Sequence, residues 1–334
     1  MRFEFYNDRI ADLPKLSVDG TVPNSIHFSH WEGNETPAEV RADTSTEIAL
    51  NLVSSPNRAA LTKGIELVTN NHFDTDGTLS VWTVLNGQRA LTYRELLVDA
   101  AEAGDFSEFS SEAGVRISLA IQGTDQASPD DDTGSPLARV LAGEEIDDDA
   151  RAYELILPEI ERLLTDIDQY ESLWKEGWLK VANALESFEQ GSSSVTEVTD
   201  TGVSLITLAP EIFSGAGFNP TRHAAPYTAI SHYARGSFFV IAIPTDGGWF
   251  YRLDYPYYSW AETVVRPAVP KRNLDRALQF LNERETSNAG SWQRDTHEMT
   301  SALKFLDQQR TLAPSKLSPD VVAMALSEHF GAAV

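Results

Sequence analysis

The 334-residue chain carries 50 acidic against 26 basic residues, a formal net charge of -24, and no cysteine. This excludes disulfides, thiolate metal sites and cysteine nucleophiles, and a general basic surface for coating nucleic acid, while a local phosphate pocket stays open. No stretch approaches the roughly 18 to 20 uninterrupted apolar residues of a membrane-spanning helix, and Met1-Arg2-Phe3-Glu4-Phe5-Tyr6 lacks signal-peptide shape, so the expectation is a cytoplasmic protein without a membrane partner.

In chain order, Ser17-Val18-Asp19-Gly20 reads as a strand end bearing an aspartate, and Ser25-Ile26-His27-Phe28-Ser29-His30-Trp31 as a second short strand. Asp43-Thr44-Ser45-Thr46-Glu47 opens a helix, with capping hydroxyls and free amides suited to an anion. Gly64-Ile65-Glu66-Leu67-Val68-Thr69 has the character of a buried strand, and Leu79 to Leu85 continues as helix or strand. Gln122 to Pro136 combines turn formers with like charge and reads as a loop, and Asp130-Asp131-Asp132 and Asp147-Asp148-Asp149 as solvated surface. Asp147 to Glu189 has apolar residues at helical intervals and predicts a long helical connector. Val195 to Leu208 alternates like a strand, Ser237 to Ile243 and Trp249 to Asp254 flank a Pro-Thr-Asp-Gly-Gly turn as a hairpin, and Asn273 caps an amphipathic helix running to Glu285. The expected architecture is α/β: a mainly parallel sheet with helices over 1–145, a helical connector over 146–190, and a smaller α+β domain over 191–334.

Chemistry concentrates in Asn70-Asn71-His72-Phe73-Asp74-Thr75-Asp76-Gly77-Thr78-Leu79-Ser80, where an imidazole and two carboxylates alternate after an apolar run. With no thiolate available, any metal must be held by oxygen and imidazole. A calcium loop fits poorly: with glycine at Gly77, His72 falls on the first ligand position and Thr83 on the closing one, where a carboxylate belongs. The stretch Phe73 to Leu79 resembles the first motif of haloacid-dehalogenase-type phosphatases, which implies Asp74 as nucleophile and Asp76 as acid. Such a site also uses a following lysine, and none lies between Lys63 and Lys175.

His72 to Ser80 also resembles the first motif of DHH-type phosphoesterases, in which a histidine or aspartate precedes an Asp-x-Asp-Gly turn and a small hydroxyl residue follows, here Ser80. Ser29-His30-Trp31 with Thr44-Ser45-Thr46-Glu47 resembles the motif that names the family, keeping its middle histidine. The order of the two motifs is reversed, so the resemblance implies a permuted or remote relative. It implies a divalent metal centre, manganese or magnesium, with His72, Asp74, Asp76, Asp19 and His30 as ligands. It further implies catalysis through Asp74, Asp76 and His30, with Ser80 and Thr46 contacting substrate. Asp105 or Asp125 supplies a remaining acidic ligand, and the sequence does not choose between them.

In the C-terminal half, Arg222, His223, His232 and Arg235 stand out in so acidic a chain as phosphate contacts, with surface ion pairing as the plainer alternative. Tyr251, Tyr255, Tyr257, Tyr258 and Trp260 read as core or interface. The function implied is metal-dependent hydrolysis of a small phosphorylated or nucleotide-like substrate. The alternatives are a non-catalytic binding protein on a degenerate phosphoesterase fold and the Asp74-nucleophile phosphatase.

Overall fold

A computed structural model describes residues 1–124, 134–198, 200–210, 226–269, 271–295 and 300–330. The fold is α/β, and the chain divides into two compact units. One comprises Met1–Leu179 with Trp260–Pro267, the other Lys180–Ser259 with Ala268–Val334.

The first unit opens with β1 (Arg2–Phe3), β2 (Lys15–Val18), β3 (Ser25–Phe28), α1 (Ser45–Ser54), α2 (Arg58–Leu61), β4 (Leu67–Thr69) and α3 (Thr75–Asn86). Helices α4 (Arg94–Asp105), α5 (Glu112–Gln122), α6 (Pro136–Ala142), α7 (Asp149–Ile156), α8 (Ile160–Thr165) and α9 (Glu171–Glu189) follow, the last running on into the second unit. The four strands form a parallel sheet in the order β1-β4-β2-β3, with Ser17 of β2 opposite Thr69 on one side and His27 on the other. All four residues of β2 are buried, Lys15 included, because its ammonium donates to the carbonyls of Ala11, Leu13 and Asn24. Leu16, Val18, Phe28 and Val68 pack against Ile48, Leu52, Val81 and Val84, so α1 and α3 share the core of the sheet.

A parallel pair normally needs a crossover of a dozen or more residues, yet Asp19 to Asn24 alone connects β2 to β3. The chain manages this with two left-handed residues, Asp19 at φ 62° and Asn24 at φ 55°, types that tolerate that region better than most. Because the strands are parallel, the residues after Val18, Phe28 and Thr69 all leave at one edge, where ligand sites of such sheets gather.

The second unit contains β5 (Ser194–Val198), β6 (Val203–Thr207), α10 (Tyr227–Tyr233), β7 (Phe238–Thr245), β8 (Gly248–Asp254), α11 (Asp275–Arg284), β9 (Ser291–Arg294), β10 (Ser301–Leu306) and α12 (Pro319–His329). Its mixed sheet runs β5-β6-β7-β8-β10-β9, with β6 and β7 parallel and the other neighbours antiparallel. Tyr251, Tyr255 and Tyr257 are buried, the first two in the core of this unit. Among the described residues no helix is long and apolar enough to cross a membrane.

Several elements differ in detail from the sequence expectation. Strand β4 is shorter than Gly64 to Thr69, and α3 begins at Thr75 because the Asp74 carboxylate caps it through Gly77 N–H at 2.7 Å. The expected long helix is three: Pro158 falls in a 3-10 turn after α7, and Asp166 leaves helical geometry at φ -154° and ψ 65°. Val195 to Leu208 is two strands, turned back on themselves at Thr201-Gly202. The N-cap of α11 is Leu274 and not Asn273, whose side chain accepts Asp275 N–H at 2.9 Å from one residue further out.

Candidate metal centre

Six side chains converge where β2, β3 and β4 end. Asp19, His30, Asp76 and Asp105 bring one ligand atom each within 4.8 Å of one another, and so do Asp19, His72 and Asp74. Asp19 belongs to both groups and offers a different oxygen to each: Oδ1 stands 3.4 Å from His30 Nε2, and Oδ2 stands 2.8 Å from His72 Nε2. The first group is fully buried, whereas the side chains of His72 and Asp74 are 28% and 18% exposed, so the second faces the approach from outside.

Each member is held by its own local structure. Asp19 gains its direction from the left-handed turn after β2, with Ser45 Oγ donating to Oδ1 at 2.9 Å. Gly20 follows because a Cβ there would collide with the Asn71 side chain and stand 2.6 Å from Asn70 Oδ1. His30 donates from Nδ1 to the Asp43 carbonyl at 2.6 Å, since a carbonyl can only accept. Its Nε2 therefore faces Asp105 Oδ2 at 3.1 Å and Asp76 Oδ2 at 3.9 Å. Asp76, in the first turn of α3, receives Ser45 N–H and Thr46 N–H on its two oxygens, both at 2.6 Å, so one carboxylate occupies the amino end of α1. His72 bridges Asp19 and Asp74 through Nε2, and its backbone carbonyl accepts from the Tyr153 hydroxyl at 3.1 Å. Asp105 is the last residue of α4.

The structure thus brings together Asp19, His30, His72, Asp74 and Asp76 and adds Asp105, while Asp125 lies outside the described residues. Thr46 and Ser80 take internal roles in place of substrate contact. Both are fully buried, Thr46 Oγ1 donating to the Asp76 carbonyl at 3.1 Å and Ser80 Oγ to the Gly77 carbonyl at 2.9 Å. Gly77 sits inside the first turn of α3, where a Cβ would collide with the Asn70 side chain and stand 2.8 Å from the Tyr153 hydroxyl. Arg222 and His223 lie outside the described residues. His232 and Arg235 belong to the second unit, where His232 stacks edge-on against Tyr233 and Arg235 is exposed, its N–H bonded to Glu197. Sequence reasoning missed Asp43 and the segment carrying Trp260 and Arg266, which no motif marks.

Electrostatics in the cluster pull in opposite directions. Burial alone would lower both imidazoles, yet the neighbouring carboxylates of Asp105 and Asp19 hold His30 well above the ordinary histidine range, and Asp74 and Asp19 do the same for His72. Burial pushes Asp19 upward, but the two imidazoles outweigh it and hold its carboxyl well below the usual range. Burial and the charge of Asp19 push Asp76 up to about 7, and burial with Asp74 and Asp76 raises Asp105.

Three buried atoms at the centre of this group, Asp19 Oδ2, His30 Nε2 and Asp105 Oδ1, make no well-directed hydrogen bond, although Asp19 Oδ2 lies 2.8 Å from His72 Nε2 and His30 Nε2 lies 3.1 Å from Asp105 Oδ2. Buried polar atoms are ordinarily satisfied by well-aligned hydrogen bonds, so these three ligand-type atoms, converging with an imidazole already oriented by a carbonyl, fit a metal centre. The donor set of imidazole nitrogen and carboxylate oxygen suits a divalent cation. With all four aspartates ionised and both imidazoles neutral, the cluster would carry -4, which two divalent cations would balance.

No curated protein and no solved structure matches the chain. A family described as being of unknown function, DUF6687, matches residues 2–334, and the chain belongs to that family.

Proposed function

We propose that the chain is a divalent-metal-dependent phosphoesterase acting on a small phosphorylated substrate. The observation that carries this reading is the Asp19 carboxylate shared between two ligand groups, each with its own imidazole. Manganese or magnesium held there would lower the pKa of a water and neutralise phosphoryl oxygens. His30, Asp76 and Asp105 would hold one ion with Asp19 Oδ1; His72 and Asp74 would hold the other with Oδ2. The chain's part is pre-organisation. The Asp43 carbonyl keeps His30 Nε2 directed inward, and the amino end of α1 keeps both Asp76 oxygens in place. His72 and Asp74, being the exposed members, stand where substrate enters.

Asp74 as a covalent nucleophile has less support, because its Oδ1 caps α3 and its Oδ2 pairs with His72 at 3.1 Å. The test is manganese-dependent hydrolysis of a chromogenic phosphodiester by the purified full chain. His72→Ala should abolish turnover, a loss of at least about 100-fold, while leaving the fold intact by circular dichroism. A wild-type protein that retains no metal and whose melting temperature ignores manganese would defeat the reading.

A further inference from the structure

The segment Trp260–Pro267 packs with the first unit, although in sequence it interrupts the second, between Ser259 and Ala268. Its contacts concentrate on the structure behind His30. Glu262 N–H donates to the His30 carbonyl at 2.7 Å, and the Glu262 carboxylate accepts from Gly33 N–H at 2.9 Å and from Asn34 Nδ2 at 2.8 Å. The Trp260 ring meets the His30 imidazole edge-on, centroids 4.9 Å apart. Three successive amides, those of Val264, Val265 and Arg266, donate to the Asp43 carboxylate.

Arg266 completes the pattern. Its guanidinium donates to Asp43 Oδ2 at 2.9 Å, to Glu102 Oε1 at 2.7 Å and to both oxygens of Glu108. These three acids belong to different parts of the centre's support. Asp43 carries the carbonyl that orients His30 and stands immediately before the capping residue of α1, whose amides hold Asp76. Glu102 and Glu108 flank Asp105 at the end of α4. One planar cation with several donors in fixed directions therefore ties the His30 and Asp76 supports to the Asp105 support, although none of its hydrogen bonds reaches a ligand.

We propose that Trp260–Arg266 is a strap that positions the buried half of the centre, with Arg266 as the positioning residue that keeps His30 and Asp105 in register. The proposal rests on the metal-centre reading only for its effect on metal binding. Arg266→Lys keeps the positive charge and removes the fork; Glu102→Gln is a milder change that weakens only the α4 arm.

The full-length proteins are compared first without metal, by hydrogen–deuterium exchange. In Arg266→Lys, amides around His30 and at Ser45 and Thr46 should lose protection, while those of β4 keep theirs. Glu102→Gln should show a smaller loss, confined to amides at the end of α4 around Asp105. Manganese titration followed by its electron paramagnetic resonance signal should then show binding of one ion weakened about ten- to hundred-fold, the second ion little changed, and kcat falling with KM held. Exchange identical to wild type in both variants, or faster exchange spread evenly over the molecule, would overturn the proposal. If the wild type itself binds no manganese, the metal reading fails while the exchange comparison still decides the strap.

Discussion

Asp19 combines two demands seldom placed on one residue: a left-handed backbone and a carboxylate whose two oxygens face different partners. Non-glycine residues at positive φ concentrate at functional sites, because the strain must be held by the surroundings, here Ser45 Oγ and the close approach of Asn70 and Asn71 at Gly20. Asparagine tolerates the same backbone region, so Asp19→Asn separates backbone from charge. Its expected outcome is a folded protein, less stable than wild type because His30 and His72 lose their shared carboxylate, that binds fewer than two manganese ions per chain, counted by elemental analysis after gel filtration. Two ions retained would mean that the shared carboxylate is not a bridge.

At the scale of elements, Glu285 beside α11 shows how the second unit ties a helix end to its sheet. The carboxylate accepts from Ser315 Oγ at 2.5 Å, Trp292 Nε1 at 3.2 Å, Ser287 N–H at 2.8 Å and Lys316 N–H at 3.0 Å. Partial burial raises this carboxyl, but these donors outweigh it and hold it below the ordinary value. A depressed carboxyl stabilises the fold above its unfolded pKa of about 4.3, and the contribution disappears as pH falls through the lower folded value. Glu285→Gln should therefore cost up to about 1 kcal/mol at pH 7, solvent screening at this part-exposed carboxylate reducing the effect. In chemical denaturation the gap to wild type should narrow steadily below about pH 4. A gap independent of pH would mean that the charge is not what holds the turn. The same scale explains what could be read in advance. Periodicity and turn chemistry predict the parallel strands, the hairpin of β7 and β8, and α11, since each depends on neighbours close in sequence. His72, Asp74 and Asp76 are legible for that reason too. The breaks at Pro158 and Asp166 are local but lie within an apolar rhythm that continues across them. Asp43 and Arg266 stand 223 positions apart, so no short pattern reveals that they meet.

For the whole molecule, the net charge of -24 opposes an anionic substrate even as it gathers divalent cations. Ionic strength screens this repulsion over about 10 Å at 0.1 M. With manganese saturating, kcat/KM for a phosphodiester should rise between about 0.02 and 0.2 M salt, whereas manganese affinity should fall. A decline in kcat/KM over that range would point to a local basic pocket dominating the approach. The interrupted second unit also sets an order of assembly. Arg266 follows Glu108 by 158 positions, so during synthesis Asp43, Glu102 and Glu108 emerge well before the arginine that is their common counter-ion. The ligands of the centre thus emerge by Asp105, and the support behind them cannot close until translation has passed Arg266, by which point β5 to β8 of the second unit have also been made.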